Sequence, residues 1–268
     1  MIPLGRTEFP ASTSELALLL DDALHGYVAK SGPIVEVRSR VFPYIDEIAI
    51  NIDGAELDSL PSAPPPIVGE TKQAFETGLV SVSARNISVR GVPLDARMEL
   101  RDVIFDRGFT ETGEVSLIVR TARDGQLVIS ASQLELEEAI AEIGGGAARQ
   151  NGITIEQVRL AMRARGRRSL ATDVRIQARK FVLRAKIEIY GQLDIDQDFT
   201  AKISQLKCNA EGTVGSLACG ALKPFFDKVI GQSFPLKSLP LGEIQIRDLH
   251  VACADTVSVT VDFGGSAD

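Results

Sequence analysis

The chain has 268 residues, with 44% hydrophobic and 24% charged residues, which is ordinary for a soluble globular protein. This length fits one large all-β or α+β domain, or two small ones, and is ample to bury a core. No segment approaches the roughly 18 consecutive apolar residues that a membrane-spanning helix requires. Residues 1–10 lack the basic start and apolar centre of a secretory signal. We therefore expect a cytoplasmic protein, or a periplasmic one if a signal has been removed.

The net charge is −7, but positive charge is concentrated in residues 149–186, which hold eleven basic residues and two acidic ones. A surface of this sign suits anionic phospholipid headgroups or an acidic patch on a protein partner. Nucleic acid is disfavoured by the acidic total and by the scarcity of aromatic residues in the segment. The alternative is that these arginines form the solvated outer faces of paired strands. The residues predicted to contact headgroups or a partner are Arg163, Arg165, Arg167 and Arg168.

The first predicted helix covers residues 12–30. Ser12 or Thr13 can cap it, and leucines recur at helical spacing behind the cap. Strand-like alternation follows over residues 34–52. The proline-rich segment 59–66 predicts a surface loop rather than a linker between domains.

The middle of the chain alternates between apolar and polar residues in short runs, which predicts antiparallel strands. The dipeptide Asp124-Gly125 predicts a hairpin turn. Ser132 and Glu135 form a capping box, and the helix that they begin should end at glycines 144–146. The predicted strands cover residues 79–89, 98–103, 115–119 and 127–131.

The C-terminal third combines a long alternating run with a strongly apolar helix. The alternation continues from Ala185 to Ile203, which predicts one unusually long strand with an apolar and a charged face. A third helix is predicted at Leu217–Ile230, capped by Ser216 and containing Pro224. The apolar face of such a strand must be covered by a helix, a second sheet or a lipid.

The cysteines do not form a disulfide framework, since there are only three: Cys208, Cys219 and Cys253. Three buried, reduced thiols are the favoured interpretation. A Cys208–Cys219 bridge is the alternative, and it would require an oxidising compartment.

Residues with catalytic or metal-binding potential are few. His25 and His250 fall on different predicted elements, and neither has a partner at metal-ligand spacing. Three alternate aspartates near residue 196 resemble the start of a calcium loop, but Phe199 and Gln205 stand where that loop needs Gly and Glu. An enzyme would need a histidine near Cys219 or near paired carboxylates. We expect no catalytic residue, no metal and no cofactor.

Four features of the chain occur together in a recognisable order. They are an N-terminal helix leading into residues 34–37, a strand and capped helix at 127–143, the alternation from Ala185, and the apolar helix followed by Phe234-Pro235-Leu236, Leu239-Pro240-Leu241-Gly242 and a strand at 244–251. Together they resemble one bacterial family, which contains the mycobacterial lipomannan elongation factor and its cyanobacterial relatives. That family is similar to the tubular lipid-binding (TULIP) superfamily, and the resemblance covers roughly residues 15–263. It implies a strongly curved antiparallel sheet around a long helix, lipid in the apolar seam and no catalytic residues.

We therefore expect one elongated α+β domain over residues 1–268, with a long curved antiparallel sheet wrapped around apolar helices. The expected function is non-enzymatic binding of phospholipid or acyl chains in an apolar groove, with peripheral association to an anionic membrane. The alternative is a scaffold protein with a solid core, whose basic stripe docks an acidic protein partner. The predicted groove residues are Leu217, Leu222, Phe225, Phe226, Val229, Ile230, Ile187, Ile189, Leu193 and Ile195.

Overall fold

The computed structural model describes residues 1–57, 65–89, 91–150, 152–236 and 243–264. Within these ranges the chain forms fourteen strands and three helices. Large, mostly antiparallel sheets with few helices confirm the α+β class. Of the predicted proline-rich loop, only residues 65 and 66 are described. None of the described helices has both the length and the apolar character needed to cross a bilayer.

The first sheet has nine strands: β1 (Ile2–Pro3), β2 (Val35–Arg38), β3 (Ile45–Asn51), β4 (Glu56–Leu57), β5 (Ile67–Val89), β6 (Val92–Thr110), β7 (Val115–Ser132), β13 (Gln245–Cys253) and β14 (Thr256–Gly264). Their order is β13-β14-β7-β6-β5-β3-β2, with β1 paired to β7 and β4 paired to β5. Pairing is antiparallel except that β3 and β4 run parallel to β5. The short runs predicted in the middle of the chain are segments of β5, β6 and β7, which have 18 to 23 residues each.

The second sheet has five antiparallel strands: β8 (Thr154–Gly166), β9 (Ser169–Lys180), β10 (Leu183–Ile195), β11 (Thr200–Glu211) and β12 (Ser233–Pro235). Their order is β12-β11-β10-β9-β8. The three helices are α1 (Thr13–His25), α2 (Gln133–Gln150) and α3 (Gly212–Val229). Helices α2 and α3 contact the second sheet, whereas α1 packs with the first.

The hairpin predicted at Asp124-Gly125 is wrong, because β7 continues through both residues. A Cβ atom on Gly125 would collide with the Leu100 side chain and lie 2.8 Å from the Glu99 carbonyl oxygen. The glycine therefore permits a close approach between β6 and β7 rather than a turn.

The single long strand predicted from Ala185 to Ile203 is also wrong, because it is a hairpin of β10 and β11. The Asp196 side chain accepts hydrogen bonds from the backbone N–H groups of Asp198 (3.0 Å) and Thr200 (2.9 Å), which closes the turn. The alternation of apolar and polar residues does not stop at this turn, because the turn contains an apolar residue, Phe199, that is buried in the main core.

The helix ends depart from the predictions at several points. The Ser12 side chain caps α1 as predicted, accepting from the Glu15 N–H at 3.2 Å, although α1 ends at His25. Helix α2 continues through glycines 144–146 instead of ending there. Helix α3 begins five residues before Leu217, and the Ser216 hydroxyl donates to the Gly212 carbonyl instead of capping the helix.

Gly144 allows α2 to lie close to β8. A Cβ on this residue would lie 3.3 Å from Cδ1 of Ile155. At this position, contact with the sheet offsets the weak helix propensity of glycine, roughly 1 kcal/mol per residue.

The main hydrophobic core lies between α1 and the nine-stranded sheet. Leu16 is fully buried, as are Val103 and Val115 on the long strands. The Asp21 carboxylate ties the helix to β2 by accepting a hydrogen bond from the Val35 N–H at 2.9 Å. Only a few residues of the second sheet, including Phe199, contribute to this core.

Candidate functional site

The strand pairing of the second sheet places its apolar residues on one face. Each pair aligns an aliphatic side chain with an aliphatic or small neighbour, as in Ile187 with Ile176 and Ile189 with Cys208. Lys186, Glu188 and Tyr190 alternate with them and point to the opposite face. We call the first surface the apolar face of the five-stranded sheet.

Two helices cover the apolar face. Helix α2 lies over β8, and α3 lies over β10 and β11, so β9 runs between the two helices. Gly215 lets α3 approach the sheet, since a Cβ there would lie 2.9 Å from the Cβ of Ala210. Coverage is incomplete, because Val174 and Ile176 on β9 are only half-buried.

A disulfide links α3 to the apolar face. Cys208 on β11 and Cys219 on α3 are bonded, with their Cα atoms 5.6 Å apart. The favoured interpretation of three reduced thiols is therefore wrong for these two residues, and only Cys253 is free. Sequence could not decide the pairing, because nothing local shows that α3 folds back over β11.

An open cleft of about 400 Å³ lies between α3 and the edge of β11. Its apolar lining includes Leu206, Phe226 and Ile230, with the disulfide at its floor. Its polar lining comes from Lys207, Asn209, Lys223 and Asp227. We call this space the α3 cleft. Its volume falls within the roughly 300–1,000 Å³ of small-molecule sites.

The predicted groove residues of α3 do not share one environment. Phe226 is buried and Ile230 is 40% exposed, and both line the α3 cleft. Leu222 and Val229 are half-buried, whereas Leu217 is 71% exposed. At 100° per residue, Leu217 lies on the flank of the helix away from the cleft. The side chain of Phe225 lies outside the described part of the structure.

The predicted strand residues also separate. Ile187 is buried under α3, and Ile189 and Leu193 are half-buried on the apolar face. Ile189 pairs with Cys208, which places it beside the floor of the α3 cleft. Ile195 packs against the main core instead.

Two of the four predicted arginines join the sheets. The Asp248 carboxylate of β13 accepts hydrogen bonds from Arg167 (2.7 Å) and Arg168 (2.9 Å) at the β8–β9 turn. The Arg168 guanidinium also lies 4.6 Å from the ring centroid of Phe199. Hydrogen bonding from Arg168 and from the Leu249 N–H, with the charge of Arg167, lowers the pKa of Asp248.

The other two arginines lie on the outer, polar side of β8. Both Arg163 and Arg165 are exposed. The Arg165 guanidinium lies 6.0 Å from the ring centroid of Tyr190. Burial raises the pKa of Asp194, but hydrogen bonds from Ser169, Ser204 and Gln192, with the charge of Arg165, outweigh burial and lower it. The structure therefore does not bring the four predicted arginines together with the predicted groove residues.

The histidines lie far apart in the fold. His25 ends α1, with Nε2 3.3 Å from an Asp21 carboxylate oxygen. His250 lies in β13, on the opposite edge of the nine-stranded sheet from β2. Cys219 cannot supply a thiolate while it is disulfide-bonded. Among the described residues, no group of three His, Cys, Asp or Glu could hold a metal ion.

Sequence reasoning missed the lysines of the cleft and a hairpin tip between β9 and β10. Lys207 and Lys223 are separated in sequence and border the same cleft only because α3 returns over β11. The tip could have been found from the run Lys180-Phe181-Val182-Leu183-Arg184, where apolar residues interrupt a basic segment.

Comparison with known proteins does not identify the chain. No protein-family model, no curated protein and no solved structure matches it. The relationship to the lipomannan elongation factor family therefore stays a prediction.

Proposed function

We propose that the protein binds a phospholipid or similar acyl lipid, without catalysing a reaction, and associates peripherally with an anionic membrane. The observation that carries this proposal is the α3 cleft. It is a preformed space of about 400 Å³ with an apolar floor, and lysines contribute to its lining.

The chemistry of the cleft suits an amphiphile. An acyl chain against Leu206, Phe226 and Ile230 would gain about 0.8 kcal/mol for each methylene that it buries. Lys223 forms no ion pair within the described ranges, so its charge is available to a phosphate. Lys207 borders the cleft but pairs with Tyr190 in the sheet, so its side chain points to the opposite face. Asp227 also lines the cleft and would disfavour a ligand with several negative charges.

The incomplete cover of the apolar face supports the same proposal. Half-buried Ile189 lies next to the cleft floor, and Val174 and Ile176 lie further across the sheet. A chain longer than the cleft could continue over these side chains. As part of this proposal, we assign the chain a curved sheet wrapped around apolar helices, as in the tubular lipid-binding superfamily.

The disulfide provides an argument about the cellular compartment of the protein. Disulfides persist in oxidising compartments and are rare in the cytosol. The Cys208–Cys219 bond therefore supports the periplasm rather than the cytoplasm as the compartment in which the protein associates with a membrane.

The test is occupancy of the cleft. Native mass spectrometry of the purified protein should show a bound lipid, or the lipid-free protein should gain thermal stability with a soluble short-chain phosphatidylglycerol. Gly220→Phe should abolish both effects, because Gly220 lines the cleft and a Cβ there meets no atom within 4 Å, which leaves room for the ring.

Gly146→Phe is the matched control. Gly146 is also helical and also has open space around its Cβ position, but it lies on α2, away from the cleft. It should leave lipid binding unchanged. A wild-type protein that is free of lipid and gains no stability with any phospholipid would refute the proposal and leave the solid-core scaffold as the explanation.

A further inference from the structure

The tip of the β9–β10 hairpin exposes three consecutive apolar side chains. Phe181 is 83% exposed, Val182 is 90% exposed and Leu183 is 56% exposed. Lys180 pairs with Leu183, so Phe181 and Val182 form a two-residue loop at the end of the five-stranded sheet. Contiguous apolar residues at a protruding tip are unusual in a soluble protein and indicate an interaction site.

The residues of this loop are poor choices for the turn that they form. Two-residue hairpin loops favour Gly, Asn or Asp, because these tolerate a positive φ. Phe181 adopts a φ of 55°, which is unfavourable for a bulky side chain. The turn therefore does not require a phenylalanine, and its presence points to a role outside folding.

Basic residues surround the tip. Lys180 and Arg184 flank the apolar residues, and Arg149 lies at the nearby end of α2. None of these three forms an ion pair within the described ranges, whereas the neighbouring Arg179 is paired with Glu156 at 3.1 Å. Exposed apolar residues flanked by unpaired cations are complementary to the interfacial region of an anionic bilayer.

We propose that residues 180–184 are the membrane-docking element of the protein. Phe181, Val182 and Leu183 enter the interfacial region, and Lys180 and Arg184 contact anionic headgroups. This inference deepens the proposed function, since it identifies how a lipid-binding protein reaches the membrane.

The docking tip and the α3 cleft share one sheet. Leu183 and Glu188 are five residues apart on β10, and Glu188 pairs with Asn209 at the edge of the cleft. At 3.3 Å per residue, docking would hold the near end of the cleft roughly 16 Å from the inserted tip. The Arg167–Arg168 turn lies at the other end of the sheet, where it contacts β13.

Vesicle flotation tests the docking directly. The wild-type protein should float with vesicles of phosphatidylcholine and phosphatidylglycerol, and float less with phosphatidylcholine alone. The double variant Phe181→Gly, Val182→Asn should weaken binding about tenfold or more, since it removes the apolar contacts. Its melting temperature should be unchanged or higher, because Gly-Asn suits a two-residue turn.

Charge reversal separates the electrostatic part. Replacing Lys180 and Arg184 by glutamate should reduce binding to the mixed vesicles by at least roughly fivefold per residue, and added salt should have a smaller effect on the variant than on the wild type. Binding to pure phosphatidylcholine should change little.

The matched control uses another pair of exposed apolar residues, Val41 (68%) and Tyr44 (74%), in the turn between β2 and β3. They also have an exposed arginine beside them, Arg40. Val41→Ser, Tyr44→Ser should leave flotation unchanged. If this variant loses flotation and the tip variant does not, the proposed docking element is wrong.

A fluorescence measurement locates the insertion. In a Cys253→Ser background, an environment-sensitive dye on Val182→Cys should shift to the blue on mixed vesicles, and the same dye on Val41→Cys should not. Stability gain with soluble phosphatidylglycerol should persist in the tip variants. If every tip variant still floats with the vesicles and is still stabilised by soluble phosphatidylglycerol, the docking inference is wrong and the proposed lipid binding in the cleft stands.

Discussion

The two sheets use the same alternating pattern but bury it to different extents. In the nine-stranded sheet, the apolar side chains pack with α1 into a continuous core that contains fully buried residues such as Leu16 and Val103. In the five-stranded sheet, α2 and α3 cover the edges, and Val174, Ile176 and Ile189 remain half-buried. The first sheet packs most of its apolar face into this core, whereas the second leaves the centre of its apolar face half-buried.

This difference shows that periodicity reports which face is apolar and not what covers it. The strands of both sheets show the same two-residue alternation of apolar and polar side chains in the sequence. The half-buried residues of the second sheet, the α3 cleft and the exposed tip all belong to the five-stranded sheet and its helices.

Truncation of one isoleucine in each sheet tests most directly whether the two sheets are packed to different extents. Ile48 on β3 is 3% exposed, so Ile48→Ala should reduce the free energy of unfolding by about 2–5 kcal/mol. Ile189→Ala should cost much less in the lipid-free protein, because its side chain is only half-buried. Urea unfolding measures both. Equal losses would mean that the five-stranded sheet is packed as tightly as the core.

Removing the disulfide should affect only the second region. The Cys208–Cys219 bond closes a short loop, with a sequence separation of 11, and constraint of the unfolded chain by such a loop is worth about 3 kcal/mol. In the double serine variant, amide exchange should accelerate in α3 and stay unchanged in α1. Cys253→Ser is the control, and accelerated exchange throughout the chain would contradict the separation of the two regions.

Two glycine substitutions should have opposite signs. Gly125→Ala should destabilise the nine-stranded sheet by about 1–3 kcal/mol, because a Cβ would lie 2.8 Å from the Glu99 carbonyl oxygen and collide with Leu100. Gly220→Ala should stabilise α3 by up to about 1 kcal/mol, since nothing lies near its Cβ position. Thermal melts of both variants provide the measurement, and a stabilising Gly125→Ala would show that β6 and β7 are not closely apposed.

The smallest expected effect concerns the contact between the sheets. Because Arg168 and Arg167 lower the pKa of Asp248 from 3.8, its carboxylate stabilises the folded state above pH 3.8, and this stabilisation is lost as pH falls through the lower folded value. Asp248→Asn should lower the melting temperature at neutral pH, and the gap to wild type should close in acid. A gap that stays constant with pH would contradict the assigned ion pairs.

Asp53 provides the comparison within the first region. Burial raises its pKa, but hydrogen bonds from the backbone and side chain of Arg85 and from Ser83 outweigh burial and lower it to about 2. The melting-temperature gap between wild type and Asp53→Asn should therefore be full above pH 3.8, shrink as the pH falls from 3.8 toward 2, and be closed below about 2.

Local sequence signals predicted the elements that depend on neighbouring residues. The Ser12 cap, the α1 leucines and the alternating strands follow from side-chain periodicity and local hydrogen bonding. The errors arose where a distant segment decides the outcome. Gly125 resembles a turn residue, but β6 lies against it. Glycines 144–146 resemble a helix end, but Ile155 of β8 lies against Gly144 and the helix continues.

The candidate site was predictable only in part. Phe226 and Ile230 were identified from the apolar character of α3, and both line the cleft. Lys207 and Lys223 were not, because only the return of α3 over β11 places both at the border of one cleft. Arg167 and Arg168 look available in sequence, yet the β8–β9 turn directs them to Asp248 on the other sheet.

Residue order alone predicts alternating strands with one apolar face, three amphipathic helices and a basic segment, because position along a strand or helix fixes which face a side chain occupies. Three features follow only from how distant elements pack: α1 completes a core while α3 leaves an open cleft, Cys208 bonds to Cys219, and Phe181 and Val182 lie at an exposed tip. Burial depends on which distant elements pack together, and no local pattern contains that information.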